Sequence, residues 1–84
     1  MKYKVLWTRT SLRQIEKLDK KTATRIINKV EDISVEPFLS VKKLSGFDLY
    51  SLRIGDYRAI MSIEKNKMII FVLQVGHRSK IYKK

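Results

Sequence analysis

The sequence has no cysteine, and only one histidine, one proline and one tryptophan, in 84 residues. Without thiols no disulfide can brace the fold, and a single imidazole leaves no ligand set for a structural zinc. No cofactor or metal is expected. The longest apolar run, Met68-Ile-Ile-Phe-Val-Leu73, is far shorter than the roughly 20 residues a membrane-spanning helix needs. The start, MKYKVLWTRT, holds no apolar stretch of the signal-peptide kind, so a cytoplasmic location is expected. Acidic residues are also scarce. Nineteen Lys+Arg stand against eight Asp+Glu, a net charge of +11.

Like charge at this density opposes the folding of a small chain, so it points to a polyanionic partner such as a nucleic acid or an acidic protein. A membrane surface is disfavoured, because no helix sets a basic face against large aromatics. Hydrophobic residues make up 44% of the chain, too many for a disordered one. The length allows one domain, residues 1–84, with a marginal core.

Tyr3-Lys-Val-Leu-Trp7 alternates and predicts a strand. Thr8 or Thr10 can cap a short helix with Leu12, Ile15 and Leu18 on one stripe. Asp19, with Thr22 three residues on, can cap a second helix. That helix places Ala23, Ile26, Ile27, Val30 and Ile33 on one face and ends before Pro37. The two stripes predict an antiparallel helical hairpin lying on a sheet. Residues 38–47 read as a loop carrying Lys42 and Lys43. Strands are expected at about 48–54, 57–64 and 68–75, joined by Gly55-Asp56 and by Lys65-Asn66-Lys67, with Asn66 suited to left-handed geometry. A short basic tail, 77–84, closes the chain.

A two-residue turn at Gly55-Asp56 determines the register of the first hairpin. Ile54 pairs with Tyr57, Leu52 with Ala59 and Tyr50 with Met61 on the core face, while Arg53 meets Arg58 on the other. Directly opposed arginines repel by a few tenths to about 1 kcal/mol. An anion between them reverses the sign. A three-residue second turn pairs Met61 with Phe71, Ala59 with Leu73 and Tyr57 with Val75, and sets Gln74 beside Arg58. Gly76 then bends the chain so that Arg78 is aimed back over the open face. Taken singly, each of these side chains has a plain structural reading: a solvated charge, or, for Tyr82, a ring pinning the tail to the core. Their convergence on one sheet face marks them as a set.

The segments LYSLRIGDYRAIMSI (49–63) and VGHRSKIY (75–82), with the apolar strand between them, resemble the RelE/ParE toxin superfamily of toxin–antitoxin systems. The likeness is nearest to RelE-type ribonucleases and extends to KYKVLWTRTSLRQIEKLDKK and VKKLSG. It implies an α+β fold, two N-terminal helices packed on a twisted, mainly antiparallel four-stranded sheet. It also implies metal-independent cleavage of mRNA on the ribosome, and an acidic RelB-like antitoxin that wraps and disables the toxin in a hetero-oligomeric complex. By motif position the resemblance assigns catalysis to Arg58, Arg78 and Tyr82. Arg53, Lys42, Lys43 and His77 are the expected RNA contacts. Leu49 and Ser51 stand where some RelE enzymes carry strand lysines, which leaves Lys42, Lys43 and Arg53 to supply positive charge. With no metal, the RNA 2′-hydroxyl is the nucleophile, the arginines stabilise the phosphoryl oxygens, and Tyr82 or His77 carries protons. A ParE-like topoisomerase poison and a non-catalytic RNA-binding module are the alternatives.

Overall fold

Lys4–Trp7, with Val, Leu and Trp in succession, forms the first strand, β1, with Val5 and Trp7 packed against the core. Thr8 stops it. The Thr8 side chain accepts from the Ser11 backbone N–H at 3.1 Å and caps helix α1, Arg9–Glu16. Asp19 caps helix α2, Lys20–Ile33, in the same way, its carboxylate accepting from the Thr22 N–H at 3.1 Å. These hydrogen bonds from Thr22 hold the Asp19 carboxyl below its ordinary value. Its stabilising contribution is therefore present at neutral pH and is lost as pH falls through the carboxylate range.

A single 3₁₀ turn, Pro37–Leu39, follows, and then a two-residue strand β2, Lys42–Lys43. Strands β3 (Tyr50–Ile54), β4 (Tyr57–Glu64) and β5 (Ile69–His77) form consecutive hairpins, and a short helix α3, Arg78–Ile81, ends the fold. The computed structural model describes residues 2–81. The sheet order is β1-β5-β4-β3-β2, with β1 parallel to β5 and the other pairs antiparallel. The expected four-stranded sheet is thus five-stranded, because Lys42 and Lys43, placed in a loop by sequence, pair with Ser51 and Tyr50.

The core lies between the helices and one face of the sheet. Ile26 and Val30 are fully buried against Leu52, Met61, Ile70 and Val72. On α1 the expected stripe is corrected. Ile15 is buried, but Leu12 is 47% exposed and Leu18 falls beyond the helix end. The inward position belongs to Ser11, whose hydroxyl donates to the Thr8 carbonyl at 3.0 Å and is thereby satisfied. On α2, Ile27 is likewise outside the stripe, at 38% exposure.

The first hairpin has the expected register throughout, including Arg53 opposite Arg58. The second departs from it twice. Its turn takes four residues, 65–68, so Glu64 pairs with Ile69, and the left-handed residue is Met68 at φ 55° rather than Asn66. A bulge follows: Met61 pairs with Val72 but Ile60 with Gln74, which leaves Leu73 as the extra residue. Ala59 therefore meets Val75, Tyr57 meets His77, and Arg58 meets Gly76, not Gln74.

Helix α1 stabilises the bulge from outside the sheet. The Thr8 hydroxyl lies 3.1 Å from the carbonyls of both Val72 and Leu73, and the Gln14 side-chain oxygen accepts the Val75 N–H at 2.6 Å. Gln14→Leu strands that amide and is expected to cost about 1–3 kcal/mol in denaturant unfolding. Gln14→Glu, which keeps an acceptor, is expected to cost much less. Equal losses in the two variants would show that the bond to Val75 does not matter.

Candidate functional site

Register brings the arginines together. Arg58 is half-buried on β4, and the residue directly across from it on β5 is Gly76, which has no side chain to compete for the space. Strand β5 does not bend at Gly76, as the sequence suggests, but runs on to His77. The chain then turns into α3 at Arg78, where the Arg78 N–H donates to the Asp56 carbonyl at 3.0 Å. This bond ties the start of α3 to the β3–β4 turn and delivers Arg78 beside Arg58. Arg58, His77, Arg78 and Ser79 line an open pocket of about 270 Å³.

The Nε atoms of Arg58 and Arg78 are both buried. That of Arg78 meets no acceptor among the described residues. Burial of the Nε atoms limits the rotamers open to each side chain. Arg53, opposite Arg58, is exposed, and its Nε donates to the Gly55 carbonyl at 3.4 Å. Three guanidiniums therefore share the tip of one hairpin.

His77 sits differently. Its ring packs edge-on to its cross-strand partner Tyr57, with centroids 5.6 Å apart. Nδ1 accepts the Ser79 N–H at 3.3 Å and lies 3.0 Å from the Ser79 hydroxyl. Through these contacts His77 braces the first turn of α3.

The remaining expected contacts divide by register. Lys42 pairs with Ser51 and so shares the face of Arg53 and Arg58. Lys43 pairs with Tyr50 and is directed to the other face. Ser51, where a strand lysine stands in some RelE enzymes, is buried, and Lys42 faces it from the neighbouring strand. Tyr82 lies outside the described residues. One group escaped the sequence reading. Arg25 and Lys29 of α2 line a larger cleft of about 430 Å³ together with Arg53, Ile54 and Gly55. Their four-residue spacing on a helix was the available signal.

Comparison with known proteins extends this geometry. No curated protein sequence matches the chain. The ParE toxin family model, of the type II toxin–antitoxin system parDE, matches residues 5–82. Solved structures superpose closely. The RelBE2 toxin–antitoxin complex of Mycobacterium tuberculosis is 28% identical with a TM-score of 0.85, covering 93% of this chain and 100% of that one. The archaeal RelE–RelB complex of Pyrococcus horikoshii is 29% identical with a TM-score of 0.81, covering 95% and 99%. The isolated RelE toxin of E. coli is 25% identical with a TM-score of 0.78, covering 95% and 90%. The family match over nearly the whole chain, joined to this fold, shows that the protein belongs to the ParE toxin family of the RelE/ParE superfamily and is a toxin of a type II toxin–antitoxin system.

Proposed function

We propose that the toxin is a metal-independent endoribonuclease that cleaves mRNA on the ribosome. The observation that supports this most is the pocket lined by Arg58 and Arg78, each with a buried Nε, together with His77 and Ser79. Cleavage of this kind needs the 2′-oxygen to bond to the adjacent phosphorus while the bond from phosphorus to the 5′-oxygen breaks. The 2′-proton must leave, the 5′-oxygen must gain one, and negative charge on the phosphoryl oxygens must be stabilised in between. Two fixed guanidiniums suit the last task, because each offers a planar fork matched to a phosphate and needs no reorganisation during the reaction. Alignment of the RNA by the ribosome supplies part of the remaining rate, since orientation alone can lower a barrier by several kcal/mol.

The proton carrier in this reading is Tyr82, which the family resemblance assigns, with His77 as a brace for the first turn of α3. Tyr82→Phe is expected to lower single-turnover cleavage on purified ribosomes by about tenfold or more, a loss of at least ~1.4 kcal/mol in transition-state stabilisation. His77→Gln is expected to lose less. The reverse order would move the proton to the histidine.

The partner in this reading is an acidic RelB-like antitoxin with an amphipathic segment. Val35, Leu39 and Phe47 are large apolar residues more than half exposed, and Lys42 and Lys43 lie in the same stretch of chain. Such a surface suits an apolar stripe flanked by carboxylates. The ParE family match also favours a second reading, a topoisomerase poison that acts by protein contact. Inducible expression with mapping of mRNA 5′ ends, run beside a gyrase supercoiling assay, decides between them. New ribosome-dependent 5′ ends with unaffected gyrase are the expected result, and inhibited gyrase with intact mRNA would replace the nuclease reading.

A further inference from the structure

We propose that the cleft between α2 and the β3–β4 turn is a second phosphate-binding site, which holds the backbone of single-stranded RNA away from the bond being cut. This rests on the ribonuclease reading above. The cations of the cleft are Arg25 and Lys29, one helical turn apart, and Arg53 from β3. Gly55 forms the wall between them. Its φ is +59°, and a Cβ there would stand 3.0–3.2 Å from Nη2, Nη1 and Cζ of Arg25. Near-equal distances to three guanidinium atoms mean that the group lies broadside against the bare backbone of the turn. Arg53 is tethered to the same glycine by its bond to the Gly55 carbonyl. Two guanidiniums are thus seated on one residue, from two different elements.

Three cations line the cleft against a single carboxylate. Asp32 is its one carboxylate, and among the described residues it forms no ion pair; the Lys2–Glu31 pair, at 3.0 Å, does not involve the cleft. Cations in excess around a recess raise the local potential and favour an anion. Arg53 also connects this cleft to the pocket, because it lines the one and is the direct cross-strand partner of Arg58 in the other. A ligand with charges repeated along an extended chain can engage both at once. RNA backbone has that character, and the guanidinium fork fits its phosphates.

The test measures binding of a short 2′-O-methyl RNA, which cannot be cleaved by its own 2′-oxygen, to the full-length toxin across a salt series by fluorescence anisotropy. The double variant R25Q/K29Q is expected to bind about tenfold more weakly at ~0.1 M salt and to flatten the dependence of log Kd on log salt by about 1.4, the loss of two phosphate contacts on a single strand. Asp32→Asn, which removes the one opposing charge, is expected to tighten binding severalfold, a gain that misfolding cannot mimic. Unchanged affinity and slope in both variants, while the wild-type toxin binds RNA and cleaves mRNA, would overturn this inference and leave the nuclease reading standing. A wild-type toxin that neither binds nor cleaves RNA would remove both. Weakened binding to an acidic antitoxin with an unchanged RNA slope would assign the cleft to the protein partner, and the inference would again be wrong.

Discussion

Alanine at Arg58, or at Arg78, is expected to lower single-turnover mRNA cleavage by about a hundredfold to a thousandfold, corresponding to ~2.7–4 kcal/mol of transition-state stabilisation. The size follows from position. Both Nε atoms are buried and both guanidiniums face one pocket, so neither can be replaced by a neighbouring surface cation drifting in. Arg53 is exposed, and its Nε is bonded to the Gly55 carbonyl. Arg53→Ala is therefore expected to change cleavage much less than either of the other two.

Lysine at position 78 is expected to restore little, since an ammonium is a point charge and cannot present a planar fork. The losses should appear at unchanged fold, checked by circular dichroism and denaturant midpoint. The double variant should lose less than the product of the two single losses, because groups that stabilise one charge act as a unit. Single variants that cleave at the wild-type rate would show that these arginines bind RNA without acting on it, or serve another function.

A second large effect is expected in stability. Ile26 is fully buried on α2 and packs in the same cluster as Leu52, Met61 and Val72 of the sheet. Ile26→Ala is expected to cost about 2–5 kcal/mol, by lost transfer free energy and by the cavity left behind. A domain of this length has roughly 4–12 kcal/mol in total, so the variant stands near the threshold of folding.

Ile27→Ala, one residue on, is the control. It is 38% exposed and is expected to cost under about 1 kcal/mol. Urea unfolding distinguishes them, with a lower midpoint and an unchanged slope for Ile26→Ala. Equal costs at the two positions would contradict the way α2 faces the sheet. The same helix carries Arg25 and Lys29, so its seating also governs the second cleft.

The parts that sequence alone determined are those with local contrast. Asp19 three residues before Thr22 defined a cap, and the hydrogen bond is there. Gly55-Asp56 lies between two segments that alternate clearly, so turn length and polarity agreed on one register and set Arg53 against Arg58. The excess of basic residues pointed to a polyanion before any fold was known.

Contrast fails in β5. Ile69 to Leu73 is apolar at every position, so either face could be the core face and a slip of one residue leaves no trace in the pattern. Tertiary structure decided that register. The bulge at Leu73 is held by Thr8 and Gln14, through hydrogen bonds that span 61–65 residues of chain. Together with the four-residue turn, which shifts the register by one residue, the bulge shifts it by one more and sets Gly76, not Gln74, opposite Arg58. The same holds for Lys42 and Lys43. They are equivalent as a charged pair in a loop, and pairing with β3 sends them to opposite faces. Arg25 reaches Gly55 only because α2 packs across the sheet. Sequence specified which charges the protein carries, whereas backbone hydrogen bonds between distant segments decided which of them meet.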